Sequence, residues 1–314
     1  MLLMTVKGNQ TVAFFDETNG KLLASPVVGT PTTKPHEIKL SADGRRAFVT
    51  LYGDANYPEN TPNNQIAVID IASMSLERII DTDLYRGPHG LARDVYGRIW
   101  ATAERNECIL VIDPDSCEIV RTVYSDTHAH FLFAAPDGKT IYSGHKEIPY
   151  IGVHSAEETR MVGKIPLDIG SQAIWHAPDK NLLYVGDFFR PLFHVVDTDE
   201  RKVARTVPLR GIPGWPYAMP DGRHIVVSTY LEAEDRGFAE IFDAETYDPV
   251  SIVELPAEPF HLLAGDDGKT VLIVVGDGRL VRMDIATGEL DNLVYDGGAN
   301  MPEAVVRCRM PDID

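Results

Sequence analysis

An Asp-Gly pair set between two short apolar runs recurs along this chain and constrains its fold more than any other feature. The first clear copy is Pro35-His36-Glu37-Ile38-Lys39-Leu40-Ser41-Ala42-Asp43-Gly44, followed by Arg45-Arg46-Ala47-Phe48-Val49-Thr50. Such a pair signals a hairpin because glycine accepts the positive φ that the turn demands. Equivalent turns fall at Gly97, Gly138, Lys180 (in Asp179-Lys180), Gly222 and Gly268. The spacings are 53, 41, 42, 42 and 46 residues, and a period of roughly 40 to 46 is that of a four-stranded propeller blade.

A second repeat lies out of phase with the first. Short apolar runs end at Asp70, Asp113, Asp197, Asp243 and Asp284, with Asp16 as an earlier copy and His154 in the aspartate's place in the remaining one. These aspartates are expected to cap turn backbone. Seven outer hairpins against six Asp-Gly-type turns leave one innermost strand to find, and the C-terminal run Glu303–Arg309 supplies it. The expectation is an all-β, seven-bladed β-propeller of four-stranded blades. It forms one domain over 1–314 and closes by pairing the C-terminal strand with the N-terminal blade, which removes exposed sheet edges.

Charge and targeting signals narrow the function classes. With 29 Lys plus Arg against 47 Asp plus Glu, the net charge is −18, which repels phosphate backbones and anionic membranes. The opening Met1-Leu2-Leu3-Met4-Thr5-Val6 lacks a basic leader, and no run approaches the ~18 apolar residues of a membrane span. The reading is a cytoplasmic protein with no nucleic-acid or membrane partner. Cys108, Cys117 and Cys308 show no metal-type spacing. A hairpin turning at Pro114-Asp115 would set Ile112 opposite Cys117 and Cys108 opposite Arg121, so no disulfide is expected.

Ser41-Ala42-Asp43-Gly44-Arg45-Arg46-Ala47-Phe48-Val49-Thr50, Pro136-Asp137-Gly138-Lys139-Thr140-Ile141-Tyr142 and Ile69-Asp70-x-Ala72 resemble the YVTN-type repeat of the YncE-like, lactonase-like propeller superfamily. The resemblance spans essentially the whole chain. It implies a seven-bladed propeller and admits several functions, among them ligand binding, lactonase and lyase chemistry.

Eight residues before each turn glycine, or Lys180 in its place, at the start of the innermost strand, stand His36, His89, His130, Gln172, Gly214 and Phe260, with Glu303 as the seventh. Three histidines at one structural position on consecutive blades, flanked by Gln172 and Glu303, suggest a divalent metal held by imidazoles and an oxygen ligand. The residues do not choose among Mn, Mg, Fe, Ni and Zn. The alternative is that each histidine is polar lining. Loops on the same face carry Tyr52, Asp54, Tyr57 and Glu59; Glu104 and Arg105; His145 and Lys146; Phe188, Phe189 and Arg190; and Tyr230. Arg190 is the candidate clamp for a substrate carboxylate, and His145 and Tyr230 are candidates for proton exchange. Phe188-Phe189, with Trp175 and Trp215, suggests an apolar wall for a ligand; the alternative, favoured for the tryptophans, is ordinary packing between blades.

No Gly-x-Ser-x-Gly elbow, His-Glu-x-x-His or phosphate loop occurs. The expectation is a metal-dependent enzyme acting on a small lactone, carboxylate or sugar-acid-like molecule, by lactonase-type hydrolysis or β-elimination. Oligogalacturonate and streptogramin lyases resemble that scheme. The competing reading is a non-catalytic propeller that binds a protein or small ligand on its top face.

Overall fold

The computed structural model describes residues 1–53, 61–177, 180–293 and 300–308. It is all-β, with seven four-stranded antiparallel sheets: a seven-bladed β-propeller. The first sheet combines β1 (Leu2–Val6), β2 (Thr11–Phe15) and β3 (Leu22–Ala24) with the last strand, β28 (Pro302–Arg307). The other six take four consecutive strands each. These are β4–β7 (Lys34–Leu40, Arg46–Gly53, Pro62–Asp70, Ser75–Asp81), β8–β11 (Pro88–Arg93, Ile99–Ala103, Cys108–Ile112, Ile119–Tyr124) and β12–β15 (Phe131–Ala134, Thr140–Gly144, Tyr150–Ser155, Arg160–Pro166). They continue with β16–β19 (Ser171–His176, Leu182–Asp187, Leu192–Asp197, Lys202–Pro208), β20–β23 (Ile212–Ala218, His224–Leu231, Arg236–Asp243, Pro249–Leu255) and β24–β27 (Pro259–Ala264, Thr270–Val275, Leu280–Asp284, Leu290–Leu293). Among the described residues the one helix is a 3₁₀ turn at Glu232–Glu234, and no helix is long and apolar enough to cross a membrane.

The chain divides into two compact units. The first comprises Met1–Ser143, His154–Val162 and Tyr295–Asp314; the second comprises Gly144–Val153 and Gly163–Val294. In the first, Leu3, Phe14, Val49, Leu51 and Ile69 form one buried cluster, and Phe48, Val68, Ile99, Leu110 and Ile112 another. In the second, Tyr184, Phe193, Val227 and Phe242 pack together, as do Val226, Ile241, Ile273 and Met283. The middle strands are buried on both faces and read as continuous apolar runs, whereas an outermost strand such as β7 exposes all but Ile80.

Both turn classes follow from side-chain chemistry. At the first Asp-Gly turn Gly44 has φ 70°, its N–H donates to the Ser41 carbonyl at 3.1 Å, and the Asp43 carboxylate accepts from the Arg45 N–H at 3.0 Å and the Ser41 hydroxyl at 2.7 Å. An L side chain at that φ would crowd its own carbonyl.

The outer hairpins all use one longer turn. An acceptor side chain closes the third strand, and the residue four positions on takes a left-handed φ: Gly20, Met74, Cys117, Thr159, Arg201, Tyr247 and Gly288. Asp70, Asp113, Asp243 and Asp284 each accept the N–H three residues ahead at 2.7–2.8 Å.

This turn corrects two sequence readings. In the fourth blade the acceptor is Ser155, whose hydroxyl takes the Glu158 N–H at 3.1 Å; His154 is buried and bonds Ser143 at 2.9 Å. Cys117 is the left-handed turn residue, so Ile112 pairs with Ile119 and Cys108 with Tyr124. All three cysteines are buried, and none is in a disulfide. The outermost strand of the first blade is confined to Leu22–Ala24, with Val27 bridging to Thr11. The C-terminal strand pairs with β1 as expected, Leu2 opposite Arg307 and Met4 opposite Val305.

Candidate functional site

A β-bulge recurs in the first strand of the blades and determines which side chains meet. Pro35 pairs with Leu51 and Ile38 with Val49, so His36 and Glu37 together oppose Thr50. Likewise His89-Gly90 oppose Thr102, Gln172-Ala173 oppose Gly186, Gly214-Trp215 oppose Ser228, Phe260-His261 oppose Val274, and Glu303-Ala304 oppose Thr5. Two residues against one leave an N–H without a ladder partner. A hydroxyl on the second strand satisfies it: Thr50 Oγ1 accepts from Glu37 N–H at 3.0 Å, Thr102 from Gly90 at 2.9 Å, Thr5 from Ala304 at 3.0 Å and Ser228 from Trp215 at 2.8 Å.

In the first unit the same hydroxyls stitch neighbouring blades together. Thr5 Oγ1 donates to the His36 carbonyl at 2.6 Å, Thr50 to that of His89 at 3.0 Å and Thr102 to that of His130 at 3.3 Å. β28, β4, β8 and β12 therefore lie side by side, which sets Glu303, His36, His89 and His130 in a row.

Within that row the structure brings His36 and His89 together with Glu37. One ligand atom from each, all lying within 4.8 Å of one another, makes a group able to hold a cation. His36 and His89 are 6% and 1% exposed, and the Glu37 side chain 12%. The His89 Nδ1 lies 3.2 Å from the His130 carbonyl, which can only accept, so Nδ1 is the donor and Nε2 keeps its lone pair. Burial, and then the charge of Glu303, push the Glu37 carboxyl up to about 8. A cation would offset both effects. The donor set of two imidazoles and one carboxylate suits Zn, Fe, Ni or Mn.

The remaining expected ligands are placed otherwise. His130 stacks on His89, ring centroids 3.6 Å apart with 31° between planes, and its Nδ1 lies 2.8 Å from Glu104 Oε1. That carboxylate, 2% exposed, also accepts the Tyr52 hydroxyl. Tyr52 sits edge-on to both His36 and His89, at 5.2 and 4.8 Å. Glu303 is held by Lys7 at 2.6 Å, and its other oxygen lies 3.7 Å from His36 Nε2. Gln172, on β16, belongs to the second unit, where its Oε1 is buried without a hydrogen-bond partner among the described residues.

The three expected catalytic side chains are also in the second unit. His145 is fully buried beside Tyr150, ring centroids 4.6 Å apart, and its backbone N–H donates to Ser171 Oγ at 3.0 Å. The Arg190 guanidinium spans Asp168, at 2.8 and 2.9 Å, and Asp187, at 2.9 Å through Nε. The guanidinium expected as a substrate clamp is thus paired with two carboxylates of its own chain. The Tyr230 hydroxyl donates to Asp235 at 2.6 Å, and that bond pushes its pKa up to about 12, making it a poor base near neutrality. Phe188 and Phe189 meet edge to face, 4.8 Å between centroids. Asp54, Tyr57 and Glu59 lie outside the described residues.

Sequence reasoning missed Glu37 and Lys7. Glu37 is legible only once the bulge is known, because an unbulged strand would turn it away from His36. Lys7, Tyr52, Glu104, Phe188 and Tyr230 each stand two residues beyond the position facing the bulge.

No protein-family model and no curated protein matches this sequence. Solved structures that share the architecture include the following two. The Kuenenia stuttgartiensis hydrazine synthase has a TM-score of 0.68 at 17% identity, over 82% of this chain and 78% of that one. The dihydro-heme d1 dehydrogenase NirN, solved in complex with DHE, has a TM-score of 0.67 at 14% identity, over 97% and 74%. At such identities the likeness shows the β-propeller fold alone.

Proposed function

We propose that this chain is a metal-dependent enzyme of the YVTN-repeat, lactonase-like kind, working in the cytoplasm on a small oxygenated molecule such as a lactone, carboxylate or sugar acid. The observation that carries the reading is the convergence of one ligand atom each from His36, Glu37 and His89 within 4.8 Å, in a largely buried setting. Those residues would hold a divalent cation, which supplies Lewis-acid polarisation of a bound carbonyl or carboxylate.

The protein's own groups supply the rest. Glu104 orients His130 by taking its Nδ1 proton in a hydrogen bond, so Nε2 faces away from that carboxylate and can accept or deliver a proton. The Tyr52 hydroxyl holds the other Glu104 oxygen and fixes the carboxylate plane. The Lys7–Glu303 pair brings a cation within reach of a substrate anion next to His36. Such a site serves hydrolysis of a lactone or β-elimination from a uronate-like acid; the two differ in whether water attacks carbon or a base removes an α-proton.

Elemental analysis tests the reading. Protein reconstituted with Mn, Mg, Fe, Ni or Zn salts should hold close to one equivalent of one of them, and a His36→Ala/His89→Ala variant should hold none while remaining folded. Less than about a tenth of an equivalent with every metal would leave a ligand-binding propeller in place of the enzyme.

A further inference from the structure

We propose that the groove between the outer strands of the fifth and sixth blades, β19 and β23, binds a small organic acid: a carboxylate or phosphate head on a flat apolar body. The groove encloses about 510 Å³ and lies within the second unit, so it shares no residue with the site above. Ligand pockets for small molecules commonly run from ~300 to ~1,000 Å³.

Phe242 and the half-exposed Ile252 supply an apolar wall, and Tyr247 supplies a ring at the rim. The guanidinium of Arg205 lies over the Tyr247 ring, 5.2 Å from its centroid, and that of Arg210 lies 4.9 Å from the centroid of Phe238. Stacking on an aromatic face holds a guanidinium in place and leaves its N–H fork free for an anion.

Neither guanidinium makes an ion pair or hydrogen bond among the described residues, although carboxylates outnumber cationic side chains in this sequence by 47 to 29. Elsewhere the surplus is used: Arg46 takes Glu77, Arg98 takes Asp94, Arg236 takes Glu254 and Arg307 takes Glu17.

Arg210 is also anchored from behind. The buried Glu240 carboxylate accepts the Arg210 backbone N–H at 2.8 Å and the Thr229 hydroxyl at 2.8 Å, which pins the connection from β19 to β20. One lining carboxylate, Asp248, is exposed. It disfavours a second anionic head and can accept a hydroxyl, so the arrangement selects a singly headed acid over a polyanion.

Calorimetric titration with phenyl phosphate and phenylacetate tests the proposal, with inorganic phosphate and benzyl alcohol as head-only and body-only probes. At least one aryl acid should saturate with a Kd below about 1 mM. Arg205→Ala/Arg210→Ala should weaken it at least about tenfold, and Ile252→Glu should do the same, at unchanged thermal midpoint. Arg205→Lys/Arg210→Lys should retain part of the affinity, because charge persists without the planar fork. No saturation by either acid up to about 10 mM, undiminished binding to the folded alanine variant, or equal binding of inorganic phosphate would each overturn it. The metal content of every variant should equal that of the wild type, which separates failure here from failure of the metal site.

Discussion

Glu104 ties two buried side chains of the site together, and its removal is the sharpest test at the level of single residues. It takes the Tyr52 hydroxyl on one oxygen and His130 Nδ1 on the other, with almost no solvent to substitute for it. Glu104→Ala leaves both donors buried without their acceptor, and urea unfolding should report a loss of about 2–4 kcal/mol. Glu104→Gln keeps an acceptor oxygen and should lose less than half of that. Equal losses for the two would mean that the hydrogen bonds contribute little beyond packing. Arg190 shows the converse: a side chain conspicuous in the sequence is occupied by Asp168 and Asp187, because an exposed guanidinium near two carboxylates satisfies its donors internally before it meets a ligand.

At the scale of the element, the bulge and the hydroxyl opposite it explain how a repeated strand presents variable chemistry. Thr50 serves Glu37 of its own blade and His89 of the next. Thr50→Val preserves shape and removes both bonds, so it should cost about 2–4 kcal/mol in unfolding free energy and reduce metal occupancy. Full occupancy at wild-type stability would show that the bulge does not position the ligands.

The turns predict acid behaviour. Hydrogen bonds from the Thr18, Ser116, Thr246 and Thr287 N–H groups hold Asp16, Asp113, Asp243 and Asp284 below the ordinary carboxylate range, and the Ser73 hydroxyl does so for Asp70. A depressed folded value contributes stability that is present above the ordinary value of 3.8 and is lost as pH falls through the lower folded values. The urea midpoint should therefore drop between about pH 5 and pH 3, and a variant with these five aspartates changed to asparagine should drop less. An equal drop would assign acid sensitivity to other groups.

These two elements also mark how far the sequence could be read. The Asp-Gly and Asp-capped turns are local chemistry and appear as spacing, so blade number, strand order and the closing strand were all legible. The His154 and Cys117 assignments failed because turn length depends on a left-handed residue with no compositional mark. Glu37 and Lys7 were invisible because a bulge and a neighbouring blade bring them in.

For the molecule as a whole, closure by β28 does more than complete a blade. It brings Glu303 beside His36 and lets Thr5 bond both Ala304 and the His36 carbonyl, so the two ends of the chain help build one wall of the candidate site. Propellers host unrelated chemistries on one scaffold, and hydrazine synthase and NirN share the fold at under a fifth of identical residues; function therefore has to be argued from the site.

The central claim is that His36, Glu37 and His89 form a cation site, and anomalous diffraction from crystals reconstituted with Mn or Zn tests it directly. One anomalous peak should appear, bonded to those three side chains at about 2.0–2.2 Å. A peak at Gln172 or elsewhere away from those three, or none in crystals soaked at saturating metal, would contradict it.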